Sequence, residues 1–211
     1  MKTQAIKIDP DSIESQKIDL ISRVLHTDGV VVYPTETFYG LGANCFSEKA
    51  VARIYRLKKR ERTKPLSVIV SSMDMVKEIT SERPELFYLI SDQFWPGPLT
   101  IVMKASKEFP DYVTGPSKTI GIRWPDQKWL NALVHKTGFP VTATSANVSG
   151  KKEVASAKKA IEIFEGHVDL VVDGGKTKGD LPSTVISLVS GKPKILREGA
   201  LSLKKLEPYL K

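Results

Sequence analysis

Short apolar runs alternate with stretches of helical period along this chain, and that alternation confines it to an α/β architecture. The first join is the clearest. Leu20, Ile21, Val24 and Leu25 share one helix face, Asp28-Gly29 ends the pattern, and Val30-Val31-Val32-Tyr33 follows as a buried strand. Further strands are predicted at 66–70, 99–103, 119–123, 141–144, 170–172, 184–188 and 195–196. Helices are predicted near 48–57, 72–79, 84–94, 126–137, 155–165 and 202–208. The order is not a clean alternation towards the end, which favours a mixed sheet over a doubly wound parallel one. The expected fold is one α/β domain over residues 1–211, with a single twisted, mostly mixed open sheet flanked by helices.

The composition narrows the classes of function. With 211 residues, 41% of them hydrophobic, the chain can bury a real core, at roughly 100–200 residues per domain. A single cysteine, Cys45, forbids an internal disulfide, and His26, His135 and His167 lie too far apart for a metal-ligand spacing. No metal site is expected. The N-terminus lacks the apolar stretch of a secretion signal, and no apolar run approaches the roughly 18 residues of a membrane span. A cytoplasmic protein with no membrane partner is the expectation. The formal charge of +8 calls for an anion, which leaves nucleic acid and phosphorylated metabolites both open.

Two glycine-lysine pairs resemble the end of a phosphate-binding P-loop and fail its spacing. The first glycine of the motif would fall at Leu170 for Gly175-Lys176-Thr177 and at Ser145 for Gly150-Lys151-Lys152. The run Lys58-Lys59-Arg60-Glu61-Arg62-Thr63-Lys64-Pro65 is more informative. If extended, it sets Lys58, Arg60 and Arg62 on one side, an arrangement suited to a triphosphate. If helical, it is a solvated C-terminal turn whose cations the dipole favours. Replacing Lys58 by alanine is expected to spare the fold in the extended case.

Two polar loops follow strands. Thr35-Glu36-Thr37-Phe38-Tyr39-Gly40-Leu41-Gly42 offers hydroxyls, a phenol and glycines that let backbone approach a ligand, or else is a turn capped by threonines. Thr144-Ser145-Ala146-Asn147 sets Ser145 and Asn147 two apart, so an extended loop aims both at one ligand. No Gly-x-Ser-x-Gly elbow exists, and no serine or cysteine stands beside a histidine partner. Chemistry by positioning and charge neutralisation is therefore expected.

Taken in order, Tyr33-Pro-Thr-Glu-Thr-Phe-Tyr-Gly-Leu-Gly42, Leu57-Lys-Lys-Arg60, Pro96-Gly-Pro-Leu-Thr100, Gly121-Ile-Arg-Trp-Pro125, Thr144-Ser-Ala-Asn147, Pro182-Ser-Thr-Val185 and Leu196-Arg-Glu-Gly199 resemble the YrdC/TsaC family. The likeness runs from about residue 15 to 200. It implies an L-threonylcarbamoyl-adenylate synthase, a nucleotidyltransferase. Such an enzyme makes the adenylate from L-threonine, bicarbonate or CO2 and ATP, releases pyrophosphate, and supplies threonylcarbamoyl-adenosine in tRNA. Magnesium would arrive with ATP. By this resemblance Lys58 and Arg60 are catalytic and touch the triphosphate, with Arg62, Thr119, Ser145, Asn147 and Arg197 also on the nucleotide. Thr35, Arg123 and Ser183 would hold threonine, Arg123 through its carboxylate, and Tyr39 would wall the pocket. An arginine at a strand end also suits a structural ion pair. Some long-form members have a histidine in the strand after Pro-Leu, where this chain reads Pro65-Leu66-Ser67-Val68-Ile69, and carry a further domain; the short, single-domain form is expected here.

The implied partners are the substrates, tRNA or double-stranded RNA, and a threonylcarbamoyl-transferase complex that receives the adenylate. The rival reading is a module that grips double-stranded RNA or tRNA without catalysis. A related carbamoyl-transfer domain of hydrogenase maturation travels with cysteine-rich fingers, which a chain with one cysteine lacks.

Overall fold

The strand Val31-Val32-Tyr33-Pro34 is apolar throughout because both of its faces are covered. Val31 and Tyr33 pack into one hydrophobic cluster, and Val32 faces another. The computed structural model describes residues 2–177, 179–190 and 192–210. Its strands are β1 (Gln4–Lys7), β2 (Val31–Pro34), β3 (Tyr39–Gly42), β4 (Ser67–Ile69), β5 (Leu99–Lys104), β6 (Thr119–Arg123), β7 (Val141–Thr142), β8 (Thr144–Ser145), β9 (Leu170–Asp173), β10 (Thr184–Ser187) and β11 (Lys194–Arg197). Its helices are α1 (Ser15–His26), α2 (Glu48–Lys58), α3 (Met73–Ile79), α4 (Glu85–Phe94), α5 (Asp111–Thr114), α6 (Lys128–Thr137), α7 (Ala157–Phe164) and α8 (Leu203–Leu206). Serines start three of them: the side chains of Ser47, Ser72 and Ser156 accept from the backbone N–H three residues on.

The mixed α/β architecture agrees with the sequence reading, but the strands form two sheets where one was expected. The first has the order β1-β9-β2-β3-β8 and the second β11-β10-β5-β6-β4-β7. Both mix parallel and antiparallel pairs: β2 runs parallel to β9 and antiparallel to β3, and β6 runs parallel to β4 and antiparallel to β5. The seam lies in the stretch expected as one strand at 141–144. Val141 and Thr142 pair with β4 in the second sheet, and Thr144 and Ser145 pair with β3 in the first. At the changeover the Ala143 N–H donates to the Ser67 carbonyl, 2.7 Å away.

The strand β3 was read as a loop, and both of its glycines serve packing, while Gly40 also lines the cavity described below. A Cβ on Gly40 would stand 2.9 Å from the Tyr33 ring, and one on Gly42 would stand 2.5 Å from it. The buried Tyr33 therefore lies across β3, its hydroxyl donating to the Thr142 carbonyl. Helices α1 and α6 cover the smaller cluster through Ile21, Leu25, Trp129, Leu130, Leu133 and Val134. The larger cluster fills the other side of the first sheet and the space beneath α2, α4 and α7. Among the described residues no helix is long and apolar enough to cross a membrane.

Candidate active site

Where the sheets meet, a cavity of about 300 Å³ opens. Ends of β2, β4 and β6, the Thr35–Tyr39 turn, the end of α2, the loop after β8 and the Pro182-Ser183 approach to β10 all contribute to its wall. Lys58, Arg60, Arg123 and Arg197 line it against one carboxylate, Glu153. Four cations around one acid make an anion-binding interior.

Lys58 is the last residue of α2 and only 2% exposed. This corrects the extended, surface arm drawn from sequence. The helix continues one residue past its last apolar position, and Lys59 then turns the chain in a left-handed cap at φ 48°. The Lys58 ammonium donates to the Ser145 carbonyl and, at 2.9 and 3.0 Å, to the Asn147 carbonyl and Oδ1. Burial, with the positive charge of Arg60 nearby, lowers its pKa to about 8. Arg60 follows the cap and donates from Nη2 to the Pro65 carbonyl at 2.8 Å, keeping its guanidinium at the cavity. Arg62 is exposed and outside the lining.

Ser145 and Asn147 both reach the cavity, but their side chains bond to each other. Ser145 Oγ donates to Asn147 Oδ1 at 2.6 Å, and Asn147 Nδ2 donates to the Lys151 carbonyl. The loop is held again by the Ser149 N–H, which donates to the Lys58 carbonyl at 2.9 Å. Lys58 and this loop thus form one unit.

Arg123 ends β6 and is 8% exposed. Its Nη2 pairs with Glu36 Oε1 at 2.8 Å and donates to Thr37 Oγ1 at 3.2 Å. Thr35 and Thr37 join their hydroxyls at 3.0 Å, and Thr35 Oγ1 donates to the Phe38 carbonyl at 2.7 Å. The turn is therefore tied down by its own hydrogen bonds and also reaches the cavity. The threonines cap it and also line the cavity, and Arg123 is at once an ion-pair partner and a cavity residue.

Farther along the same sheet, Arg197 Nη2 and Nε donate to the Ser183 carbonyl at 2.8 and 3.1 Å. Ser183 Oγ meets Thr100 Oγ1 at 3.0 Å. Burial first, then the charge of Arg123, depresses the pKa of Arg197, although an arginine stays protonated. The Tyr39 hydroxyl donates to the Gly175 carbonyl at 2.6 Å, and burial raises its pKa to about 12, so it is a neutral wall. Thr119 starts β6 at the end remote from Arg123, bonds Ser117 at 2.8 Å, and does not line the cavity.

Sequence reasoning gave no site role to Ser67, Thr100 or Glu153 and offered Thr37 only among the hydroxyls of its loop; all four line the cavity. Strand register carries the signal for two of them: Thr100 stands opposite Arg123, and Ser67 pairs with Gly121, two residues before Arg123 on the same face. Among the described residues, no group of three or more His, Cys, Asp or Glu side chains is placed to hold a metal.

A sequence profile of the Sua5/YciO/YrdC proteins, described as telomere recombination, matches residues 23–199. The chain belongs to that family. Within it, a threonylcarbamoyl-AMP synthase of Pyrococcus abyssi is 37% identical over 95% of this chain, and one of Bacillus subtilis is 34% identical over 94%. This chain spans 59% and 58% of those two relatives, about three-fifths of their length. A Methanocaldococcus jannaschii protein is 35% identical, with 98% of each chain matched. The fold superposes on the solved structure of P. abyssi Sua5 complexed with L-threonine with a TM-score of 0.92, at 35% identity, covering 100% of this chain and 61% of that one. E. coli YciO superposes at 0.89 and 26% identity, over 99% of this chain and 100% of its own.

Proposed function

We propose that this cavity binds L-threonine and ATP and makes threonylcarbamoyl-AMP from them and bicarbonate, as one catalytic unit over residues 1–211. The observation that carries the reading is the cavity's lining, with four cations and one carboxylate interleaved with the hydroxyls of Thr35, Thr37, Thr100, Ser145 and Ser183. That is a site for a small polar molecule beside a polyanion, and a P. abyssi relative of this fold is complexed with L-threonine.

In this reading the threonine carboxylate takes the cavity edge of Arg123, flanked by the hydroxyls of Thr35 and Ser183. Arg60 and Arg197 receive phosphate oxygens, and Lys58, Ser145 and Asn147 shape the loop beneath them. Thr119 and Arg62 lie outside the lining, so Arg62 acts by attracting the nucleotide at longer range. The substrate brings its own nucleophile. The deprotonated threonine amine adds to CO2 and sheds a proton to solvent, or adds to bicarbonate with loss of water; the resulting carbamate oxygen attacks the α-phosphorus, and the bond to the bridging oxygen breaks as pyrophosphate leaves with the electron pair. The protein's task is to hold three anions together and to neutralise the charge that develops on the leaving phosphates.

Magnesium enters this proposal as a companion of the triphosphate. The described residues offer it no cage, and no step is assigned to it. The adenylate would then pass to a transferase acting on tRNA in the cytoplasm. A purely RNA-gripping module is less well served, because Lys58 and Arg123, two of the four cations, are buried rather than spread on a surface.

Pyrophosphate release from ATP tests the reading. Release should require both L-threonine and bicarbonate. Release indifferent to threonine, or tight tRNA binding without nucleotide turnover, overturns it.

A further inference from the structure

Arg123 is held by one side only. Its Nη2 is taken by Glu36 and Thr37, its Nε is buried without a partner, and Nη1 makes no hydrogen bond among the described residues. Since Nη1 is not among the buried unpartnered atoms while Arg123 lines the cavity, Nη1 is the guanidinium nitrogen open to a ligand. Behind it, Glu36 is in a matching condition. Oε1 accepts from Arg123 at 2.8 Å and from the Asp126 N–H at 3.3 Å, while Oε2 is buried and accepts nothing. No hydrogen bond shares the charge of that oxygen.

We propose that Glu36, as a positioning residue acting through Arg123, makes this subsite select a zwitterionic α-amino acid over a simple carboxylate anion. This deepens the proposed function and rests on its assignment of Arg123 to the substrate carboxylate. A lone buried guanidinium attracts any carboxylate. Paired with Glu36, it offers the cavity two N–H donors' worth of direction but little net charge, because the negative charge lies close behind the positive one. Glu36 then repels a ligand of net negative charge and offsets part of the attraction that Arg123 exerts on it. A zwitterion, whose ammonium offsets its own carboxylate, keeps the hydrogen bonds to Nη1 without that penalty. Glu36 also fixes the side-chain rotamer that turns Nη1 to the cavity, together with Thr37.

The test is calorimetric binding of L-threonine, L-serine and L-valine, and of β-hydroxybutyrate, which keeps the carboxylate and lacks the ammonium. Wild-type protein should bind its preferred amino acid at least about tenfold more tightly than the anion. The isosteric, uncharged Glu36→Gln should shrink that ratio by about tenfold, with the anion gaining affinity, and Glu36→Asp should restore most of it. An unchanged ratio in folded Glu36→Gln overturns the inference. If Glu36→Gln does not fold, the wild-type ratio decides: a ratio near one overturns the inference, and a strong preference for the zwitterion supports it. Binding of serine or valine but not threonine would sink the proposed function while leaving the selectivity of Arg123-Glu36 standing. Binding of no amino acid would sink both.

Discussion

The two polar walls of the cavity are built differently. Arg123 stands on a strand, in a row of partners that are themselves anchored: Glu36 by the Asp126 N–H, Thr37 by Thr35, and Thr35 by the Phe38 carbonyl. The segment 58–62 leaves a helix end, and its cations grade outward from buried Lys58 through Arg60 to exposed Arg62. A strand-borne charge with a half-buried counter-ion is already oriented before any ligand arrives. A loop-borne series supplies one anchored cation and others that trade precision for reach.

The largest break in this comparison should come from Arg123→Ala. It leaves the half-buried Glu36 without its cation, so we expect a loss of about 2–3 kcal/mol in stability by denaturant unfolding. Threonine-dependent pyrophosphate release should fall by roughly a hundredfold to a thousandfold, with the KM for threonine rising. Retained threonine affinity would show that the strand-borne wall is structural only.

Lys58→Ala comes next. The fold-sparing outcome expected for a surface arm no longer applies, because the side chain is buried and ties Ser145 and Asn147 to α2. The variant should lose about 2–4 kcal/mol and weaken ATP more than threonine. A variant as stable as wild type would show that the loop holds itself.

A smaller and directional effect follows from the lowered pKa of Lys58, from the ordinary lysine value of 10.5 to about 8. Below that pH the ammonium is intact. Above it the charge is lost, so the KM for ATP should rise between pH 7 and pH 9, roughly, while that for threonine moves less. The sign for stability is the reverse. Between about 8 and 10.5 the unfolded chain binds more protons than the folded one, so this group's contribution to stability grows with pH in that window. An ATP KM flat across the range would place Lys58 away from the nucleotide.

The smallest effect belongs to Arg62→Ala. Exposed and outside the lining, Arg62 should change the KM for ATP about threefold at low salt and negligibly at high salt. A large, salt-resistant effect would mean that the loop folds inward on binding, and the contrast between the walls would narrow.

Much of this organisation was legible locally. The apolar runs and the Asp28-Gly29 stop lie in adjacent residues, so every helix but the one-turn α5 and most of the strands follow from pattern alone. The short β1 and the glycine-bearing β3 were not legible, because Gln4–Lys7 and Tyr39–Gly42 owe their pairing to β9, β2 and β8, which are distant in sequence or hidden behind a turn. The site residues divide the same way. Motif positions located Lys58, Ser145, Arg123, Ser183 and Arg197, and all five line one cavity.

By itself the sequence determined the α/β order of elements, the excess of positive charge and the motif positions at which the site forms, since each depends on residues near one another in the chain. Tertiary structure alone decided that the strands divide into two sheets at Ala143, that Lys58 is buried with its ammonium spent on remote carbonyls, and that Glu36 stands behind Arg123. The reason is physical. A cation's partners here are backbone carbonyls and a carboxylate from distant segments, and which of them it meets depends on how the sheets close around it.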